Sequence, residues 1–162
     1  MPIRTGLDER IKSVQNELKE YFEEAKHIYD DAIDAFTKLD SQVYSEAKRA
    51  RAKAREVNWD LTNDLLLILA LNQPLMQDLR IIATYLRAVD TVERLIRHAR
   101  DIARSDRSID EDADELPQEI VDPVLEMHQH LNALIDITVV CLTKGQEVPA
   151  DDVRKNWRLV KD

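Results

Sequence analysis

The sequence predicts an all-α protein, an antiparallel three-helix bundle with an additional helical hairpin. Apolar residues recur at alternating spacings of four and three, which is the period of an amphipathic helix. The 162 residues include only two glycines and five prolines, which nearly excludes the frequent turns of a β-sandwich or barrel and the glycine-rich loops of nucleotide-binding folds. The connections between the first three helical segments are short, which favours antiparallel neighbours.

Composition and charge narrow the class of protein further. Apolar residues make up 44% and charged residues 34%, which is typical of a globular chain. The lone Cys141 rules out an internal disulfide, and the net charge of −9 argues against nucleic acid as the main partner. The longest apolar run, Leu65 to Leu71, is far shorter than the ~20 residues that span a bilayer. We expect a soluble, cytoplasmic protein that is not membrane-spanning.

The first two helices follow one continuous pattern. The first helix is predicted from Leu7 to Leu39, after which Asp40 and Ser41 interrupt the pattern and can cap the next helix. The second is predicted from about Gln42 to Asn72, with alanines lining its first half. Because the run Leu65–Leu71 is apolar on nearly every side, we expect it to be the most buried segment.

Proline and glycine mark the remaining elements. Pro74 ends the second helix and suits the first turn of the third, which carries Asp78 near its positive end and runs to about Ser105. Residues 1–105 therefore form a three-helix unit, and residues 106–116 are predicted to be a mobile acidic linker. Residues 117–162 predict a fourth helix, which starts near Pro117 and is closed by Gly145, and a fifth that opens at Pro149.

A motif lies where the second helix meets the third. Gln73-Pro74 is followed, after three residues, by Asp78-Leu79-Arg80, and Glu93-Arg94 comes thirteen residues later. Over residues 5–105 the chain resembles the PhoU family of phosphate-uptake regulators. The resemblance implies a non-enzymatic adaptor that couples phosphate uptake to signalling through contacts with a transporter ATPase subunit or a signalling protein such as a sensor kinase.

The same resemblance implies two three-helix halves, so that residues 117–162 would be an incomplete second repeat that stops at Asp162. PhoU-like bundles also occur beside other ion transporters and channels, so a regulatory or dimerisation domain of such a protein is the alternative. A third reading is a metal-dependent enzyme. Apolar faces on the fourth and fifth helices predict either a homodimer or a hairpin that packs against the three-helix unit.

Family members bind metal ions through acidic residues spaced four apart, and the chain departs from that pattern. Glu93 matches the first acid, but Arg97 occupies the second position. We expect a Glu93–Arg97 ion pair in place of a cation, and a second pair between Asp90 and Arg94.

The second helix lacks the matching acids, because Asn58 and Thr62 occupy those positions. Asp60 and Asp64 lie on the other flank of the helix. Because hard cations need several converging carboxylates, we expect no cofactor. A divalent metal held by Glu93, Asp90, Asp60 and Asp64 is the alternative.

Other polar residues allow two interpretations each. Asp64 on the apolar seam is either a ligand or a residue that reaches solvent or an arginine of the third helix.

The basic run from Lys48 to Arg55 is either an anion-binding patch or, as we expect, a set of cross-helix partners, with Arg51 opposite Asp30 and Asp31 and Lys48 opposite Asp34. Cys141 is expected to be buried on the helix 4 seam. Glu24 and His27 form a lone Glu-x-x-His motif, whereas a di-iron site needs two.

Overall fold

The chain forms five helices in the part that is described. A computed structural model describes residues 3–40, 42–105 and 116–161. The helices are α1 (Ile3–Lys38), α2 (Val43–Asn72), α3 (Gln77–Ser105), α4 (Gln118–Lys144) and α5 (Ala150–Lys161). The described residues contain no strand, which confirms the all-α class. Nearly all of the predicted acidic linker, 106–116, and Ser41 lie outside the described residues.

Helices α1, α2 and α3 pack against one another as an antiparallel bundle. The predicted seam of α1 is buried at Leu7, Val14 and Leu18, and it meets Leu61 and Leu65 of α2. The third helix contributes a row of buried apolar side chains, Ile82, Val89, Val92 and Ile96. The predicted three-helix bundle is therefore confirmed.

The hairpin formed by α4 and α5 lies against this bundle. Helix α4 packs on α1, and α5 packs on α4. The Gln15 side-chain amide of α1 donates to the carbonyls of Leu142 (2.9 Å) and Thr143 (3.1 Å) at the end of α4. These bonds supply partners for carbonyl groups in the last turn of a helix. Of the two arrangements predicted for the hairpin, the structure has the one in which it packs on the three-helix unit.

Several predicted helix ends are confirmed. Gly145 adopts a left-handed conformation (φ 61°) and its amide donates to the carbonyl of Cys141 over 3.1 Å. Asp78 lies in the first turn of α3. Asp40 does not cap α2 as predicted, because the N-cap residue is Gln42, which makes no side-chain capping hydrogen bond; the Asp40 carboxylate accepts from the Gln42 amide at 3.0 Å instead. Pro74 is another exception, because it lies in the α2–α3 connection and not in the first turn of α3.

The predicted burial of Leu65–Leu71 is wrong. Leu65 and Ile68 are buried, but Leu66, Leu67 and Leu71 are 50%, 52% and 66% exposed. The physical reason is that α2 has neighbours on two sides only, α1 and α3. No further helix covers its outer face in the described part of the chain.

Two further expectations need correction. Among the described residues, Arg51 and Lys48 form no ion pair with Asp30, Asp31 or Asp34. The cross-helix pair between α1 and α2 joins Lys53 to Glu24 at 2.8 Å, about one helical turn from the predicted register. Cys141 is half-buried, with its Sγ 4.0 Å from the carbonyl oxygen of Glu147.

Candidate protein-docking surface

The α2–α3 connection carries a group of exposed apolar side chains. Leu71 is 66% exposed, Leu75 77%, Met76 86% and Leu79 46%. Among the large apolar side chains of the described residues, Met76 and Leu75 are the most exposed. We call these four residues the apolar tip. They come from the last turn of α2, the connection itself and the first turn of α3.

The backbone of the connection holds these side chains outward. Gln73 and Met76 both have a φ of 47°, in the left-handed region that residues with a Cβ rarely occupy. Between them Pro74 is buried and anchors the connection to the bundle. The amides of Asp78 and Arg80 donate to the carbonyls of Leu75 and Met76, each over 3.2 Å. Such conformations cost free energy and persist where the surrounding structure enforces them, often at functional sites.

The tip is suited to bind another protein. Clustered exposed apolar side chains on a soluble domain commonly mark a contact surface, because their burial against a partner is favourable. The tip stands at one end of the bundle, where two helices end and turn. A partner therefore reaches it without displacing any helix.

The motif residues around the tip have different environments. Gln73 and Arg80 are exposed beside it, Leu79 belongs to it, and Asp78 is half-buried in the first turn of α3. The motif as read from the sequence does not include Leu71, Leu75 and Met76. The sequence holds a signal for these residues, because a second apolar pair, Leu75-Met76, follows the run Leu65–Leu71 after only three residues.

The acids predicted as metal ligands do not converge. Asp60, Asp64 and Asp90 are exposed and Glu93 is half-buried. Asp64 lines a shallow cleft with Arg10 of α1, so it reaches solvent and not an arginine of α3. Asp60 lines a separate cleft beside Glu20. Within residues 3–40, 42–105 and 116–161, no three His, Cys, Asp or Glu side chains are arranged to hold a metal ion.

The acids of α3 lie near a buried tyrosine of α1. Burial raises the pKa of the Tyr21 hydroxyl, and the negative charges of Glu93, Glu24 and Asp90 raise it further. The Tyr21 hydroxyl donates to the backbone carbonyl of Ala54 at 2.9 Å. Glu93 and Asp90 therefore act electrostatically on a tyrosine that joins α1 to α2.

The ion pairs predicted on α3 do not form. The ion pairs of the described residues include neither Glu93–Arg97 nor Asp90–Arg94, and Arg94 is exposed. Asn58, which occupies the position of a family acid, instead directs its amide towards the carbonyl of Val89 on α3 at 3.5 Å. The helix stabilisation expected from these two pairs is thus absent.

Three of the four histidines have individual partners. Asp30 of α1 accepts from Asn132 at 2.8 Å and contacts His128 Nε2 at 3.0 Å, and both partners lie on α4. His27 contacts Asp31 at 2.9 Å, and His130 contacts Asn156 of α5 at 2.9 Å. These contacts hold the hairpin together and tie it to α1. They do not bring two Glu-x-x-His motifs together.

A comparison with known protein families identifies the family to which the three-helix bundle belongs. The family model described as the PhoU domain matches residues 18–106, a little over half of the chain. The chain belongs to the PhoU family. The match covers α1 from Leu18, all of α2 and α3, and therefore the whole apolar tip. No curated protein and no solved structure shows a significant match. None of the described helices has an apolar stretch long enough to cross a membrane.

Proposed function

We propose that this PhoU-family chain is a non-enzymatic regulatory adaptor of phosphate uptake and phosphate signalling, located in the cytoplasm. It acts by binding other proteins, and the partner that we propose is the ATPase subunit of a phosphate transporter. The observation that carries the proposal is the apolar tip, which lies within the residues that match the PhoU domain and is open to solvent.

The chemistry of the tip supports a protein partner. Leu71, Leu75, Met76 and Leu79 offer apolar contact area, and the methionine side chain adapts to irregular surfaces. The exposed Arg80 and Gln73 beside them supply polar contacts at the edge. An apolar centre with a polar rim is the usual anatomy of a protein–protein interface.

The test is a binding titration between the purified chain and the purified ATPase subunit of the phosphate transporter from the same organism. We expect the double substitution Leu75→Glu, Met76→Glu to weaken binding by about tenfold or more, because two charges would be buried at the centre of the interface. The melting temperature should change little, since both side chains are exposed.

Leu125→Glu is the matched control, because Leu125 is an exposed leucine on α4, away from the tip. It should bind like the parent protein. Equal binding by the tip variant and the control would show that the tip is not the docking surface. No binding by the parent protein would contradict the proposed partner.

A further inference from the structure

A second surface lies between α1 and α2, at the end of the bundle opposite the apolar tip. It is an open cleft of about 480 Å³. Its floor is apolar and consists of Ile28 from α1 and Val43, Ala47 and Ala50 from α2. Because alanine side chains are short, the floor is recessed between the two helices. The cleft can therefore receive a large apolar side chain.

The rim of this cleft is acidic. Glu23, Glu24 and Asp31 line it from α1, and Glu46 lines it from α2. Glu24 contacts Lys53 and Asp31 contacts His27, but both pairs are largely exposed and such pairs contribute little free energy. Glu46 forms no ion pair with any other described residue. The rim thus favours a partner that brings positive charge.

Helix α5 presents the complementary chemistry. Trp157 is 59% exposed, and no residue of α5 is buried. An α-helix turns by about 100° per residue, so Lys161, Arg154 and Arg158 lie about 40°, 60° and 100° around α5 from Trp157, all on one flank of the indole. The exposed side of α5 is therefore an aromatic side chain with three basic neighbours.

We propose that α5 of a second copy of this chain docks in the α1–α2 cleft. The indole of Trp157 enters between the alanines, and the basic neighbours meet the acidic rim. Tryptophan and arginine side chains are enriched among the residues that contribute most to binding in protein interfaces. The proposal concerns a surface away from the apolar tip and does not depend on the proposed adaptor function.

A second copy of the chain fits the cleft because its α5 helix carries basic side chains and the rim of the cleft is acidic. The α5 helix of the same copy lies on α4, whereas the α1–α2 cleft is open. If each copy places its α5 in the cleft of the other, the two identical contacts close a dimer with twofold symmetry and leave neither surface exposed.

The test uses two charge-reversed variants of the full chain and measures dimer dissociation by analytical ultracentrifugation. The cleft variant is Glu23→Lys with Glu46→Lys, and the helix variant is Arg158→Glu with Lys161→Glu. The dimer of each variant alone should dissociate at a protein concentration about tenfold higher than that at which the parent dimer dissociates, because like charges would face each other. An equimolar mixture should regain a dimer, since one contact then has both charges reversed and the other is native.

The substitution Trp157→Ala tests whether the indole anchors the dimer. Leu159→Ala is its control, because Leu159 is 44% exposed on another side of α5. Trp157→Ala should weaken the dimer by about tenfold or more, and Leu159→Ala should not. In a Trp59→Phe background, Trp157 emission should shift to the blue on dimerisation. Far-ultraviolet circular dichroism shows whether each variant is folded.

Three outcomes would overturn the proposal. They are a parent protein that is monomeric at every concentration, a dimer that is insensitive to both charge reversals and to Trp157→Ala, and a mixture of the charge variants that stays monomeric while each variant is folded.

Discussion

The hydroxyl of Tyr21 in α1 donates a hydrogen bond of 2.9 Å to the backbone carbonyl of Ala54 in α2. Tyr21 is only 2% exposed, so this hydrogen bond lies in the interior of the bundle, between α1 and α2. This hydrogen bond contributes to the alignment of α2 along α1. The neighbouring Lys53–Glu24 pair agrees with the same register.

Tyr21→Phe should destabilise the protein by about 1 kcal/mol, the usual net value of a hydrogen bond in a folded protein. The ring is kept, so the apolar packing should not change. Tyr85→Phe is the matched control, because the Tyr85 hydroxyl lies 3.4 Å from the carbonyl of Leu142 and its bond is weaker. Urea unfolding measures both changes, and a larger loss for Tyr85→Phe would contradict the assignment.

The raised pKa of Tyr21 predicts a pH dependence at the alkaline end. The ordinary tyrosine pKa is 10.0, and burial with nearby acids raises it in the folded state. Below pH 10 the hydroxyl is protonated in both states and contributes its full stability. Above pH 10 the unfolded state loses the proton first, so stability falls as pH rises.

Tyr21→Phe removes this contribution. We therefore expect the parent protein to lose its advantage over the variant between about pH 9 and pH 11. Burial also raises the pKa values of Tyr29 and Tyr85, but both proteins contain these residues and their contributions cancel in the difference. Melting curves of the two proteins across this range test the prediction. A constant difference would show that the Tyr21 pKa is not raised.

Leu65 and Leu66 are adjacent in the sequence and differ in environment. Leu65 is fully buried, whereas Leu66 is 50% exposed. Leu65→Ala should cost about 2–5 kcal/mol, because it leaves a cavity in the core. Leu66→Ala should change stability by about 0.5 kcal/mol or less. Equal losses in urea unfolding would mean that the outer face of α2 is covered in solution.

This pair shows what the sequence could and could not predict. The helices and the inner seam follow from periodicity, because the buried residues of one helix, such as Val14, Leu18, Tyr21 and Ala25 of α1, recur at alternating spacings of four and three. Periodicity is uninformative where every position is apolar, as in Leu65–Leu71. The number of neighbours around α2 decides which of these leucines are covered, and that number is a property of the whole fold.

The details of the candidate surface depend on loop geometry that composition does not encode. The motif residues Gln73 and Pro74 marked the right connection, but the left-handed backbone at Gln73 and Met76 is what turns Leu75 and Met76 outward. Likewise, Leu39 in the α1–α2 turn adopts a left-handed conformation (φ 56°), which the composition of the turn does not predict.

Arg97 gives a test of the metal prediction. Arg97→Asp would place two carboxylates four apart on α3, at positions 93 and 97, where they repel each other. We expect the variant to be less stable than the parent protein without metal and to regain stability with manganese, because a ligand that binds the folded state stabilises it. Thermal melts with and without manganese measure this. If manganese stabilises the parent protein as strongly, a native metal site exists, and Asp60, Asp64 and Asp90 become the residues to replace.

The regulatory role is tested most directly by phosphate uptake in cells of the source organism. Cells that lack the gene should no longer adjust the rate of labelled phosphate uptake to the phosphate supply. The parent gene should restore the adjustment, and a gene encoding Leu75→Glu, Met76→Glu should not, although its product accumulates to the same level. Normal adjustment in the cells that lack the gene would contradict the proposed function, and full restoration by the tip variant would contradict the role of the apolar tip.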